Sequence, residues 1–191
     1  RCGTVMILII FTNIMTNKSK GFVLFGKGDY MSTKRIANMA MLVALAIIFS
    51  YVEFLIPINL GIPGIKLGLA NLVIVIALYT LELGDVWIIS ILRILIIGFM
   101  FGSGMSIIYS LAGAVVSLIV MTLMKKINGF SIMGISMIGA VAHNMGQIVV
   151  AMFVVENTSI LYYVPALLIA GLITGGIMGI VSKRVLTVIK K

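Results

Sequence analysis

The chain of 191 residues is 62% hydrophobic and only 10% charged, and its mean hydropathy is +1.27. Soluble globular domains carry about 25% charged residues, so this composition excludes that class. The formal net charge of +9 does not indicate nucleic-acid binding, because such a surface interleaves cations with aromatic rings on a soluble domain. Basic ends beside anionic lipid account for the charge. The composition therefore predicts a membrane protein.

Residues 1–30 differ from the rest of the chain. Their apolar run at 5–15 is shorter than a membrane span and lacks the basic start of a secretory signal. The run Met-Ser-Thr-Lys-Arg at 31–35 instead resembles a translation start directly before the first hydrophobic segment. We interpret 1–30 as a leader of doubtful authenticity, with a weak interfacial segment as the alternative, and 31–191 as one domain. Cys2 is the only cysteine, so we expect no disulfide framework and no thiolate metal site.

Six long runs with few charges follow the leader. A spanning helix needs about 20 mostly apolar residues, and the second and third runs are short for upright spans. We expect their ends to extend into the flanking loops. The prediction is an all-α, polytopic membrane bundle of about six transmembrane helices, at 36–56, 67–81, 86–101, 105–124, 132–155 and 161–182.

The basic residues indicate the orientation of this bundle. Cytoplasmic loops collect lysine and arginine, whereas external loops do not. With a cytoplasmic N-terminus, Lys66 is the one cation in an external loop, and both termini are cytoplasmic. The predicted cytoplasmic cations are Lys34, Arg35, Lys125, Lys126, Lys183, Arg184, Lys190 and Lys191.

The run at 63–71, Pro-Gly-Ile-Lys-Leu-Gly-Leu-Ala-Asn, interrupts two hydrophobic segments with helix breakers, Lys66 and Asn71. Irregular backbone at bilayer depth survives only where protein or a water-filled cavity surrounds it. The run therefore suggests a binding mouth. A plain external turn explains the same prolines and glycines, and the run alone does not decide between the two.

Arg93 lies near the middle of the third predicted span, where an arginine costs about 2.5 to 3.5 kcal/mol. Its guanidinium must face the interior of the bundle or a cavity. One interpretation is that it holds an anionic ligand. The other is an internal ion pair, for which Glu53 at the outer end of the first span is a candidate.

The fifth predicted span contains His143, Asn144 and Gln147, which a helix places on neighbouring positions of one face. A single histidine without Cys, Asp or Glu at ligand spacing makes a poor metal site, so we predict no metal and no cofactor. Interhelical hydrogen bonding explains these three side chains. Contact with a ligand is the alternative.

Small residues form three ridges along predicted helices, which would let helix backbones approach closely. We expect most of the ridges to pack inside the bundle, although the ridge on the first helix could instead dock a partner subunit. The ridges are Ala37, Ala40 and Ala44 on the first helix, Ser106, Ser110, Gly113 and Ser117 on the fourth, and Gly171, Gly175 and Gly179 on the sixth.

Three runs resemble one family of bacterial proteins. They are 63–71, the Ser-Leu-Ala-Gly run at 110–113, and the Gly-Ala-Val-Ala-His-Asn-Met-Gly-Gln run at 139–147. They are similar to proteins called the Gx transporter family or heptaprenyl diphosphate synthase component I. The resemblance covers residues 34 to about 183 and implies a multi-pass protein of the bacterial cytoplasmic membrane.

The two family names imply different functions. Prenyl diphosphate synthases hold magnesium through aspartate-rich motifs, and this chain has none, so it would be a non-catalytic membrane partner of a soluble synthase subunit. The architecture also resembles the substrate-binding S component of energy-coupling factor transporters. There the resemblance implies that Ala40 and Ala44 meet a transmembrane coupling subunit. The chain has no phosphate-binding loop, so ABC-type ATPases would supply the energy.

From these observations we predict a membrane protein that binds a small amphipathic or anionic molecule near its outer half and takes part in its uptake. The alternative is a non-catalytic component in isoprenoid or quinone synthesis. We predict no catalytic residue. The predicted ligand-binding residues are Lys66, Asn71, Arg93, His143, Asn144 and Gln147.

Overall fold

The computed structural model describes residues 33–55, 68–127, 129–156 and 158–189. These residues form six α-helices and one short 3-10 helix, Thr158–Tyr163, that leads into the last of them. The predicted leader, Lys66, Lys190 and Lys191 lie outside the described residues. The helices are α1 (Thr33–Leu55), α2 (Leu69–Thr80), α3 (Leu83–Phe101), α4 (Gly104–Lys126), α5 (Ile132–Val155) and α6 (Val164–Ile189).

The predicted all-α membrane bundle is confirmed. Five of the described helices, all except α2, are long and apolar enough to cross a membrane. The third predicted span, 86–101, extends to an earlier start in α3, at Leu83, as expected for a run that was short. Serine side chains begin two of the helices, where Ser103 accepts a hydrogen bond from the Ser106 N–H and Ser131 accepts one from the Gly134 N–H.

The second helix differs from the predicted span at 67–81. It has 12 residues, about 18 Å of helix at 1.5 Å per residue, which is too short for a hydrocarbon core of about 30 Å. The helix begins only after Gly68, whose φ of 75° is left-handed, and Leu81 beyond its end is extended. Eight of its 12 residues are buried. An apolar helix enclosed in this way is a core element, and the other helices pack around it.

Successive helices run in opposite directions through the bundle, and the basic residues therefore lie at one end of it. The start of α1 meets the start of α3 through an ion pair between Arg35 and Asp85. The end of α4 meets the end of α2, where Lys125 Nζ donates a hydrogen bond to the Leu78 carbonyl. We call this side of the molecule the basic end. It also contains Lys126, Lys183 and Arg184, because the late part of α6 packs on the start of α5.

Helices α4, α5 and α6 pack through two of the predicted small-residue ridges. A Cβ atom on Gly175 or Gly179 would lie 2.7 Å from the Cα of Met137 or Met133, respectively, so α5 and α6 are in backbone contact there. On α4, Ser117 Oγ donates a 2.8 Å hydrogen bond to the Gly139 carbonyl. These ridges lie inside the bundle.

Candidate functional site

A cavity of about 380 Å³ lies between the helices in the half of the bundle away from the basic end. All six described α-helices contribute to its wall: α1 and α3 with their later parts, α5 and α6 with their middle parts, and α2 and α4 with their beginnings. The apolar part of the wall includes Phe54, Ile97 and Phe101. The polar side chains among the lining residues are Ser50, Glu53, Asn71, Arg93, Ser106, Ser110, His143, Asn144, Gln147 and Thr174.

Five of the six predicted ligand residues line this cavity. Asn71 lies on the first turn of α2, Arg93 lies in the middle of α3, and the remaining three share one face of α5. The face of α5 points into the cavity because the helix packs closely on α4, where a Cβ on Gly113 would lie 2.9 Å from both His143 Cε1 and Gln147 Cγ. The sixth predicted residue, Lys66, lies outside the described residues.

The side chain of Arg93 has unused hydrogen-bonding capacity within the bundle. Its Nε atom is buried and has no hydrogen-bond partner among the described residues. Glu53 attracts it electrostatically, but the two side chains form no direct ion pair in the described part of the chain. Arg93 and Glu53 therefore attract each other electrostatically, but they do not form the ion pair that one interpretation of the sequence suggested.

Glu53 has a closer partner at the beginning of α2. Its Oε1 atom accepts a 2.6 Å hydrogen bond from the Gly68 N–H. From the sequence, Glu53 was considered only as a possible partner of Arg93. The structure adds this carboxylate to the lining. The signal was present in the sequence, since Glu53 is an acidic residue within an apolar span.

Asn144 connects two helices as well as lining the cavity. Its Nδ2 donates a 2.9 Å hydrogen bond to the Leu167 carbonyl on α6. Interhelical hydrogen bonding was one of the two interpretations of this residue, and the structure contains such a bond. The side chain of Asn144 thus holds the wall of the cavity together.

Aromatic rings form one corner of the cavity, between α1 and α3. The centroid of the Phe101 ring lies 5.5 Å from that of Phe54 and 5.0 Å from that of Tyr51, within the range of favourable tilted pairs. Phe54 and Phe101 line the cavity. The sequence carried no signal for this corner, because nothing distinguishes these two rings from other apolar residues of the spans.

The proposed partner interface lies on the outside of the bundle. Ala37, Ala40 and Ala44 are all exposed along one face of α1, unlike the ridges of α4 and α6. The structure therefore leaves this face accessible to lipid or to another helix. Within the described residues, no group of three or more His, Cys, Asp or Glu could hold a metal ion.

Comparison with known proteins identifies one family. The family described as "Heptaprenyl diphosphate synthase component I" matches residues 42–185, a stretch that includes every described residue lining the cavity. Neither a curated protein nor a solved structure matches the chain.

Proposed function

We propose that the chain, which belongs to the heptaprenyl diphosphate synthase component I family, binds a small molecule in the cavity. The family name leaves the task of the membrane component open. We further propose that the chain serves as the substrate-binding component of an uptake system. The observation that carries the proposal is the buried, unpartnered Nε of Arg93 in the cavity wall. A ligand would supply the missing acceptor.

The energetics of Arg93 support a functional role. An arginine at this depth costs about 2.5 to 3.5 kcal/mol, and leaving one of its donors without an acceptor adds a further penalty of about 1 to 3 kcal/mol. A side chain that only held helices together would be expected to complete its hydrogen bonds within the protein. Ligand binding accounts for both the position of Arg93 and its free donor.

The cavity also has the composition of a small-molecule site. Such sites occupy about 300 to 1,000 Å³ and combine apolar walls with a few oriented polar groups. Here Phe54, Ile97 and Phe101 provide apolar surface beside Asn71 and Gln147. We infer a ligand with an apolar body and a polar or anionic head.

The proposed orientation puts the basic end in the cytoplasm of a bacterial cell and the cavity toward the outside, as the distribution of lysine and arginine favours. The exposed face of Ala40 and Ala44 on α1 would then contact a transmembrane coupling subunit. Small residues allow such close helix contact. ABC-type ATPases attached to that subunit would drive uptake.

The family match favours a second candidate function. A non-catalytic membrane component of a heptaprenyl diphosphate synthase would bind a soluble synthase subunit and present or accept a prenyl compound. The chain would contribute binding without chemistry, because it has no aspartate-rich motif for magnesium diphosphate.

An uptake experiment tests the proposal and separates the two candidates. Four strains are grown in the same medium, expressing the wild type, Arg93→Met, Gln147→Ala or the control Thr187→Val. Mass spectrometry then compares the small molecules that remain in the medium of each strain. Thr187 is a helical residue on α6 whose hydroxyl bonds to the Lys183 carbonyl, outside the cavity. We expect one compound to be depleted by the wild type and the control and spared by both cavity variants.

Equal depletion by all four strains would contradict the transport proposal. The synthase alternative is tested by adding membranes with and without the protein to the soluble synthase subunit. A change in prenyl chain length or yield only in the presence of the protein would support that alternative.

A further inference from the structure

The beginning of α2 opens into the cavity. Gly68, Ala70 and Asn71 all belong to its wall. The first N–H groups of a helix have no acceptor within the helix, and they carry the positive end of its dipole. Gly68, the residue before the helix, has no side chain that could accept a hydrogen bond from them, and its left-handed φ of 75° suits glycine. The Gly68 carbonyl accepts the Asn71 N–H at 2.9 Å, so what the helix presents to the cavity is the positive end of its dipole.

Two electropositive features belong to the wall of this cavity. One is the beginning of α2, and the other is Arg93, whose buried Nε has no partner among the described residues. Both attract the same carboxylate, since Glu53 accepts the Gly68 N–H at 2.6 Å and interacts electrostatically with Arg93. We call the place where both features act on Glu53 the anion subsite, and there the Nε of Arg93 has no acceptor among the described residues.

Discontinuous helices in membrane transporters use their N-terminal ends in this way, pointing them at anionic groups of a substrate near the middle of the bilayer. Arginine strengthens such a subsite, because charge-assisted hydrogen bonds to a carboxylate or phosphate are roughly twice as strong as neutral ones. The described lining combines both devices with the apolar corner of Phe54 and Phe101.

We propose that this subsite receives the carboxylate or phosphate of the transported molecule, and that Glu53 occupies it until the ligand's anion displaces the Glu53 carboxylate from Gly68. This inference rests on the proposed binding function of the cavity and adds the chemical class of the ligand. Two anions repel each other in one small subsite, so Glu53 is a competitor of the ligand. Neutral analogues leave it in place and bind less tightly.

The test uses simple probes with the full chain in nanodiscs of phosphatidylcholine. Benzoate and phenyl phosphate are compared with benzamide, which has the shape of benzoate without its charge. Binding is measured as the dependence of the melting temperature on probe concentration, followed through the fluorescence of Trp87, the single tryptophan. The variants are Glu53→Gln and Arg93→Met, with Thr187→Val as the control.

We expect wild type and control to bind the two anions more tightly than benzamide. Glu53→Gln should bind benzoate about fivefold more tightly or better, the lower end of ordinary coupling free energies, with benzamide unchanged. Arg93→Met should lose the preference for anions. Nanodiscs containing phosphatidic acid identify the source of the anion, since a lipid headgroup in the subsite would weaken benzoate binding in the wild type.

Weaker or unchanged benzoate binding in Glu53→Gln would overturn the role of Glu53 as a competitor. Equal binding of benzoate and benzamide by the wild type would overturn the anion subsite without needing any variant. Either result leaves the proposed function standing if benzamide binds. If none of the three probes binds and no compound is depleted in the uptake experiment, both the anion subsite and the proposed binding function of the cavity are contradicted.

Discussion

Arg35 donates two hydrogen bonds of 2.8 Å to the carboxylate of Asp85, from Nε to Oδ2 and from the terminal amino group to Oδ1. The two residues are 50 positions apart, and their pair joins the beginnings of α1 and α3. Asp85 is only 2% exposed, whereas Glu82, which also pairs with Arg35 at 2.7 Å, has a side chain that is 73% exposed. A buried carboxylate without this partner would be strongly destabilising.

The first prediction concerns this ion pair. Asp85→Asn should lower the melting temperature of the purified protein clearly, because it removes the buried partner of a bidentate arginine. Glu82→Gln is the matched control and should change the melting temperature little, since exposed ion pairs contribute little to stability. Equal effects of the two changes would mean that the burial of Asp85 does not strengthen its pair with Arg35.

The second prediction concerns the contact between α5 and α6. Gly175→Ala should destabilise the protein by about 1 to 3 kcal/mol, as overpacking usually does, because its new Cβ would lie 2.7 Å from the Met137 Cα. Gly176→Ala is the matched control on the neighbouring position, where the nearest atom is the Met133 methyl carbon at 3.6 Å. Chemical unfolding in detergent measures both. A larger loss for Gly176→Ala would contradict the described packing.

The third prediction separates two asparagines of the cavity. Asn144→Ala should lower the stability by about 0.6 kcal/mol, a typical interhelical hydrogen bond, because Asn144 donates to the Leu167 carbonyl. It should also weaken benzoate binding. Asn71→Ala should weaken binding with little change in melting temperature, since Asn71 lies at the beginning of α2 and lines the cavity. Wild-type affinity in both variants would assign these amides to the scaffold alone.

The fourth prediction concerns orientation. Ser103 and Ser131 are both exposed and both begin a helix, but Ser103 lies at the cavity side and Ser131 near the basic end. In a Cys2→Ser background, an impermeant maleimide should label Ser103→Cys in intact cells and should label Ser131→Cys only after the membrane is opened. The reverse pattern would invert the proposed topology.

The sequence predicted the spans well where the hydrophobic pattern was long. The fifth predicted span, 132–155, has the bounds of α5, and the first four differ from their helices by at most three residues at either end. The sixth, 161–182, stops seven residues before α6 ends at Ile189. The exception is α2, because an apolar run of this length suits a short core helix as well as a span. The left-handed conformation of Gly68, which delays its start, cannot be recognised from the sequence alone.

Within the site, Arg93 and the polar face of His143, Asn144 and Gln147 were predictable, because polar residues in apolar spans are costly and conspicuous. Their binding role stays a prediction. The contact of Glu53 with Gly68 was not predictable, since it depends on how α1 and α2 meet in space. The pairing of Arg35 with Asp85 was missed for the same reason, because it depends on how α1 and α3 meet in space.

The most direct test of a ligand-binding cavity is native mass spectrometry of the protein purified from its membrane. We expect a small molecule of one defined mass and anionic character to be bound to the wild type and to Thr187→Val, and to be absent from a folded Arg93→Met. A wild type that carries no such molecule, or an adduct that persists in Arg93→Met, would contradict the claim that Arg93 and this cavity bind the ligand.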